Sequence, residues 1–172
     1  CEGFLTALTF LKHAANIQAG QRLLVNGASG SVGCAAVQLG KIFGAHVTGV
    51  CSTKNIDLIT SLGADEAIDY TQTDFTNNTQ NTYDIIFDTV GQSPFSRAKR
   101  VLKPGGIYLS PVLGLMIILQ MFWTKMIGNK KAVIAFAGLK KPHEKLADME
   151  IAKSLIESGS FKPVIDQRYP LA

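Results

Sequence analysis

An apolar run, Leu23-Leu24-Val25-Asn26, leads into the turn Gly27-Ala28-Ser29-Gly30-Ser31-Val32-Gly33, and a helical pattern follows to Phe43. That pattern sets Val32, Ala36, Leu39 and Phe43 on one face, while the run before the turn is short and apolar, as a buried strand is. Strand, glycine turn and amphipathic helix in this order describe a βα unit built to receive a dinucleotide pyrophosphate. Glycine lets the backbone come close to the phosphates, and the open N–H groups at the helix start point at them. The spacing is A-x-G-x-x-G from Ala28 to Gly33, with Ala28 where the common fingerprint has its first glycine. A glycine turn alone is a weak sign; the strand before it and the helix after it supply the context.

The rest of the chain repeats the alternation. A helix is expected over residues 2–15, with Phe4, Leu8 and Leu11 on one side, then a turn at 18–21 and the first strand at 22–26. Gly44 stands where a helix C-cap belongs. Further strands are expected at 46–51, 67–70, 83–88, 107–110 and 132–136, with helices at 55–62, 93–102, 115–127 and 142–158. Lys103-Pro104-Gly105-Gly106 is expected to break the helix before the fifth strand. Residues 71–82, rich in Thr, Asn and Gln, predict a surface loop or poor helix, and residues 163–169 read as extended. Strands alternating with helices imply parallel pairing through right-handed crossovers. The expected fold is α/β, a doubly wound parallel sheet of six strands in the order 3-2-1-4-5-6, a Rossmann domain over residues 1–162.

Composition agrees where it bears on this. At 47% hydrophobic and 17% charged residues, the chain suits strands buried on both faces. Its net charge of +4 is scattered, and the pairs Lys130-Lys131 and Lys140-Lys141 make no stripe for nucleic acid. The apolar run 107–123 is shorter than the about 20 residues of a membrane span and is broken by Ser110, Pro111, Gly114 and Gln120. Cys1, Cys34 and Cys51 lack C-x-x-C spacing and are odd in number, which fits a reducing, cytoplasmic setting rather than a disulfide framework. Cys34 and Cys51 read as small core residues. Because the chain begins with Cys, a targeting segment and an organellar location stay open.

The end of the second strand bears on which dinucleotide fits. A unit that binds NAD has an Asp or Glu there to accept hydrogen bonds from the adenosine ribose. Here Ser52-Thr53-Lys54 follows the strand, and the next acid, Asp57, lies a turn into the helix. Hydroxyls and a lysine suit the 2′-phosphate of NADPH, which a carboxylate would repel. Tyr70, ending the neighbouring strand, can reach the same place. The plainer reading of Lys54 is a solvated lysine at a helix start.

Several segments now stand in register: Glu2-Gly-Phe-Leu-Thr-Ala, Gly27-Ala-Ser-Gly-Ser-Val-Gly33, Leu62-Gly-Ala-Asp65 with Ile68-Asp-Tyr70, Phe87-Asp-Thr-Val-Gly91, Lys103-Pro-Gly-Gly106 and Lys162-Pro-Val-Ile165. Together they resemble the cofactor domain of medium-chain dehydrogenase/reductases, in the NADPH-dependent quinone oxidoreductase-like branch. The resemblance implies hydride transfer from NADPH to a quinone, enone or other small carbonyl substrate. By position it implies that Ser29, Gly30, Ser31, Val32 and Gly33, after Ala28, meet the pyrophosphate. Ser52, Lys54 and Tyr70, with Thr53 between the first two, would surround the 2′-phosphate. Thr89, Val90 and Gly91 would line the path from ribose to nicotinamide, and Val112, Leu113 and Phe136 would flank the nicotinamide, although packing explains those last three almost as well.

The resemblance also implies an N-terminal catalytic domain that this sequence lacks, and residues 163–172 resemble the start of a return toward it. In this branch hydride transfer rests on placing substrate against the nicotinamide, so no catalytic residue is nominated. Zinc-containing relatives carry a Cys-x-Gly that Cys1-Glu2-Gly3 resembles, but its spacing to the glycine turn differs and one ligand makes no site. His13, His46 and His143 show no ligand pairing, so zinc independence is expected. The sixth strand would form a sheet edge, which favours a homodimer. Short-chain dehydrogenases need Tyr-x-x-x-Lys, which none of Tyr70, Tyr83, Tyr108 and Tyr169 satisfies, and a methyltransferase would want an acid where Ser52 stands. The remaining rival is an NADPH-binding sensor or interaction module without catalysis.

Overall fold

A computed structural model describes residues 2–111, 131–133 and 142–165. Helix α1 (Glu2–Leu8) continues as a wider π-helical stretch, Thr9–Ala14, in which the Ala15 N–H donates to the Phe10 carbonyl at 2.9 Å, five residues back. Asn16 then turns the chain at φ 49°. The one helix expected over 2–15 is therefore an α and a π segment in series.

Strands β1 (Arg22–Asn26), β2 (His46–Cys51), β3 (Glu66–Asp69), β4 (Tyr83–Asp88), β5 (Leu102–Leu109) and β6 (Lys131–Val133) form one sheet. Its order is β3-β2-β1-β4-β5-β6, as expected, and every pairing is parallel. Helix α2 (Ser31–Ile42) crosses from β1 to β2, and α3 (Ile56–Ser61), entered through a 3₁₀ turn at Thr53–Asn55, crosses from β2 to β3. Helix α4 (Phe95–Ala98) precedes β5, and α5 (Pro142–Glu157) closes the described chain.

The strands are apolar on both faces because both are covered. Leu23 and Val25 join Phe10, Leu11, Ala36 and Leu39 in one core, while Leu24 between them joins Ile86, Phe95 and Tyr108 in the other. Phe10 stacks on Phe87 at 5.1 Å, and Phe95 meets Tyr108 edge-on at 5.6 Å. Cys34 and Cys51 are buried and free, as small core residues.

Three expectations need correcting. The helix over 93–102 shrinks to four residues, because Val101 and Leu102 are buried against the sheet and Tyr83 already donates its N–H to Val101. Lys103-Pro104-Gly105-Gly106 does not precede the fifth strand but lies inside it. The register with β4 shifts between Tyr83 and Ile85, and this irregularity absorbs the exposed Pro104 and Gly105. The 71–82 connection is a loop, as expected, with one 3₁₀ turn, Phe75–Asn77, capped by Asp74, that buries Phe75 and Thr76. The third strand also begins at Glu66 and ends at Asp69, so Tyr70 stands just beyond it. Cys1, the expected helix 115–127, residues 134–136 of the sixth strand and residues 166–172 lie outside the described residues.

Candidate functional site

The sheet order turns back at β1, which has β2 on one side and β4 on the other, and ligands of such sheets bind outside the carboxyl ends of strands at that point. A cleft of about 730 Å³ opens there. Its floor is the glycine turn. The N–H groups of Gly27 and Ala28 both donate to the Val50 carbonyl, at 3.1 and 2.9 Å, which ties the turn to β2. Gly27 sits at φ 79°, and a Cβ there would stand 2.3 Å from Val90 Cγ2. A Cβ on Gly33 would lie 2.1 Å from the Gly27 carbonyl oxygen, so α2 can rest on the turn only through a glycine. At the first fingerprint position the buried Ala28 methyl faces Gly49 of β2, where a Cβ would come within 3.1 Å of it.

Helix α2 starts at Ser31 with Gly30 as N-cap, and no side chain caps it. The N–H groups of the first helical turn have no partner within the helix, and they carry the positive end of its dipole. Ser31 and Val32 line the cleft at this point.

One wall is held by Asp88, which is fully buried at the end of β4. Its Oδ1 accepts from Asn26 Nδ2 at 2.9 Å and from the N–H groups of Val90 and Gly91 at 3.2 and 3.0 Å. Its Oδ2 accepts from the Ser93 N–H at 2.9 Å and the Tyr108 hydroxyl at 3.0 Å. Burial, and then the Asp88 charge, push the Tyr108 hydroxyl far above the ordinary tyrosine range. Thr89 is fixed in turn, its hydroxyl donating to the Asn26 carbonyl at 2.8 Å.

The corner beyond β2 is a hydroxyl-rich surface. Asn55 Nδ2 donates to Ser29 Oγ at 3.0 Å and to Ser52 Oγ at 3.2 Å, which joins the glycine turn to the segment after β2. Asp69, paired with Cys51 in the β2–β3 register, accepts from Thr53 Oγ1 at 2.5 Å, from the Thr71 N–H and hydroxyl at 2.9 and 2.7 Å, and from Gln72 at 3.1 Å. The Thr53 and Thr71 hydroxyls hold its carboxyl below the usual range. No acid directly follows β2 in the sequence, but the fold brings Asp69 in from β3. Tyr70 is 61% exposed and lines the cleft; Lys54 is exposed on the 3₁₀ turn after β2 and is not among the residues that line the cleft.

Of the expected residues, Ser29, Gly30, Ser31, Val32, Tyr70, Thr89 and Val90 line the cleft together. Ala28 and Gly33 shape its floor from beneath, Gly91 is held by Asp88, and Ser52 joins through Asn55. Thr53 is tied to Asp69. Val112, Leu113 and Phe136 lie outside the described residues. Sequence reasoning missed Asn26 and Asp88, Asn55, Asp69, and the wall made by Thr73, Asp74, Phe75 and Arg97. Asn26 and Asp88 left a signal, each being a polar residue ending an apolar run; the others meet partners too distant in the chain to be paired by eye. Among the described residues no three of His, Cys, Asp and Glu gather to hold a metal ion. No described helix is long and apolar enough to cross a membrane.

The zinc-binding dehydrogenase family model matches residues 62–172. A chloroplastic quinone-oxidoreductase homologue of Spinacia oleracea is 31% identical over 176 aligned residues, which cover 98% of this chain and 52% of that protein. Among solved structures, the CurK enoyl reductase superposes with a TM-score of 0.82 at 23% identity, over 95% of this chain and 51% of that one. The quinone oxidoreductase of Escherichia coli, solved with NADPH, superposes with a TM-score of 0.78 at 21% identity, over 95% and 53%. At these identities the two superpositions establish the fold. The chain spans about half the length of the proteins it matches.

Proposed function

Because the chain belongs to the medium-chain dehydrogenase/reductase superfamily, in its quinone oxidoreductase-like branch, we propose that it is the cofactor-binding half of an NADPH-dependent oxidoreductase. Its relatives are oxidoreductases, and the reduced substrate is proposed to be a quinone, an enone or another small carbonyl compound. One observation carries this reading: the uncapped start of α2 over a turn so closely packed that Gly27 and Gly33 admit no side chain. Such a turn exposes backbone donors to an anion at van der Waals range, which is what a pyrophosphate requires.

Residues Ser29 to Gly33 would hold the pyrophosphate on backbone N–H groups and the Ser29 and Ser31 hydroxyls. Ser52, Thr53, Lys54 and Tyr70 would meet the 2′-phosphate, and Thr89, Val90 and Gly91 would position the ribose leading to the nicotinamide. Val112, Leu113 and Phe136 remain proposed for its flank. Bound NADPH would supply the hydride. The residues of this chain would bind and orient the cofactor, with Asp88 holding the Thr89–Ser93 wall in place, and the other wall of the substrate cleft would come from the remainder of the parent protein. A homodimer through the edge strand β6 is part of the proposal, as is a location in the cytoplasm or an organelle, the spinach relative being chloroplastic.

The test pairs calorimetric titration of this chain with NADPH and steady-state NADPH oxidation with quinone and enone acceptors. The expected result is binding without turnover by the chain and turnover by the full-length parent. Absence of binding would overturn the reading. Turnover by the chain alone at an enzymatic rate, on the order of 1 per second, would overturn the division of labour. A parent that binds NADPH and turns over neither acceptor class would favour a sensor or interaction module.

A further inference from the structure

The outer wall of the cleft contains a charge pair that the cofactor assignment leaves without a task. Arg97, on α4, reaches Asp74 in the connection between β3 and β4, Nη2 to Oδ2. Both residues line the cleft, and among the described lining residues Arg97 is the one cation and Asp74 the one acid.

We propose that Arg97 is a specificity residue for the anionic end of the dinucleotide: its guanidinium leaves Asp74 and takes a phosphate oxygen of the bound cofactor. This rests on the cofactor reading above. Three observations support the exchange. First, the pair is exposed, with 54% of the Arg97 side chain and 32% of the Asp74 side chain accessible, and exposed pairs of this kind are weak. Second, Asp74 stays satisfied without Arg97, because its Oδ1 already accepts from the Thr76 N–H at 2.9 Å and the Thr76 hydroxyl at 2.7 Å. Those two bonds cap the 3₁₀ turn, so releasing Arg97 leaves the wall standing. Third, the backbone beneath Arg97 is anchored. Phe95 of the same helix is buried on Tyr108, whose hydroxyl lies 2.7 Å from the Ser93 carbonyl and shares its one proton between that oxygen and Asp88. Only the long side chain has to move.

The exchange favours the ligand on charge. A carboxylate offers one negative charge, whereas a phosphate offers up to two and matches the planar fork of guanidinium. Either the 2′-phosphate or the pyrophosphate has this chemistry, and comparing two dinucleotides separates them.

The test titrates NADPH and NADH into the wild-type chain, Arg97→Gln, Arg97→Lys and Asp74→Asn by calorimetry at two salt concentrations, with thermal unfolding of each. Arg97→Gln is expected to weaken NADPH binding about tenfold and to flatten its salt dependence, with Arg97→Lys recovering part of the loss. If the contact is to the 2′-phosphate, NADH binding stays unchanged; if it is to the pyrophosphate, both dinucleotides weaken alike. Asp74→Asn keeps an Oδ1 acceptor for Thr76 and removes the competing charge, so NADPH binding should tighten. Wild-type binding of NADPH that Arg97→Gln leaves intact overturns the inference alone. So does an Asp74→Asn variant that weakens binding and unfolds early together with Arg97→Gln, since the pair would then be structural. A wild type that binds neither dinucleotide overturns the inference together with the cofactor reading.

Discussion

Five donors converge on the Asp88 carboxylate: one amide, three backbone N–H groups and one phenol. A buried carboxylate is tolerated only when hydrogen-bonded in this way, so the wall above the glycine turn is fixed before any ligand arrives. The corner beyond β2 is built differently: its hydroxyls are tied to Asn55 and Asp69, and the Lys54 and Tyr70 side chains are exposed. Preference between cofactors is expected to be decided there. Ser52→Asp places a carboxylate beside the proposed 2′-phosphate position and offers an acceptor to ribose hydroxyls, so preference should reverse toward NADH. Lys54→Ala should shrink the preference for NADPH by about tenfold. Calorimetry with both dinucleotides at fixed low salt checks both variants. Equal affinity of the wild type for the two would overturn the assignment of this corner to a 2′-phosphate. Asp69, 16 residues from Thr53 in the chain, brings a negative charge to the same corner, and its hydrogen bonds to hydroxyls hold that charge in place.

At the scale of elements, the contact of α2 with the turn is the most demanding in the molecule's design for a ligand, and its two glycines differ in kind. Gly33 faces backbone: a Cβ would come 2.1 Å from the Gly27 carbonyl and 2.7 Å from Ala28 Cα. A Cβ on Gly30 would meet the Gly27 carbonyl at 3.4 Å, an ordinary contact, and Gly30 lines the cleft. Gly33→Ala should therefore destabilise the chain by about 2 kcal/mol, read in urea unfolding. Gly30→Ala should leave stability nearly unchanged and still weaken NADPH binding, because its methyl would stand where a phosphate approaches. If the two variants lose stability equally, the helix does not rest on the turn in the way described. Elsewhere, elements are joined by ties the sequence does not announce. Gln38 of α2 exchanges two hydrogen bonds with the Lys162 backbone, at 3.0 and 2.8 Å, and His13 meets Asp148 of α5 at 3.0 Å.

At the scale of the whole molecule, β6 has β5 on one side and forms the sheet edge among the described residues. An edge of this kind invites pairing with a second copy, and sedimentation at high concentration is expected to show a dimer; a monomer would remove β6 as an interface. The sheet itself was legible in the residues. Short, mostly apolar segments at 22–26, 46–51 and 83–88 predict buried strands with the bounds found, because a strand covered on both faces is rich in apolar residues on both. The glycine turn was legible for a similar local reason, since backbone and side chain compete for the same space at Gly27 and Gly33. Tertiary structure alone decided where local preference and burial disagree. Residues 99–102 carry a helical pattern, but 99–101 turn and Leu102 opens β5, and Lys103-Pro104-Gly105-Gly106 reads as a breaker but is carried inside β5 by a shift of register. It also decided the walls of the cleft. Asn55 with Ser29, Asp69 with Thr53, Arg97 with Asp74 and Asp88 with Tyr108 are partners 16 to 26 residues apart. Each bond forms only because parallel strands bring their carboxyl ends, and the loops that follow them, to one end of the sheet.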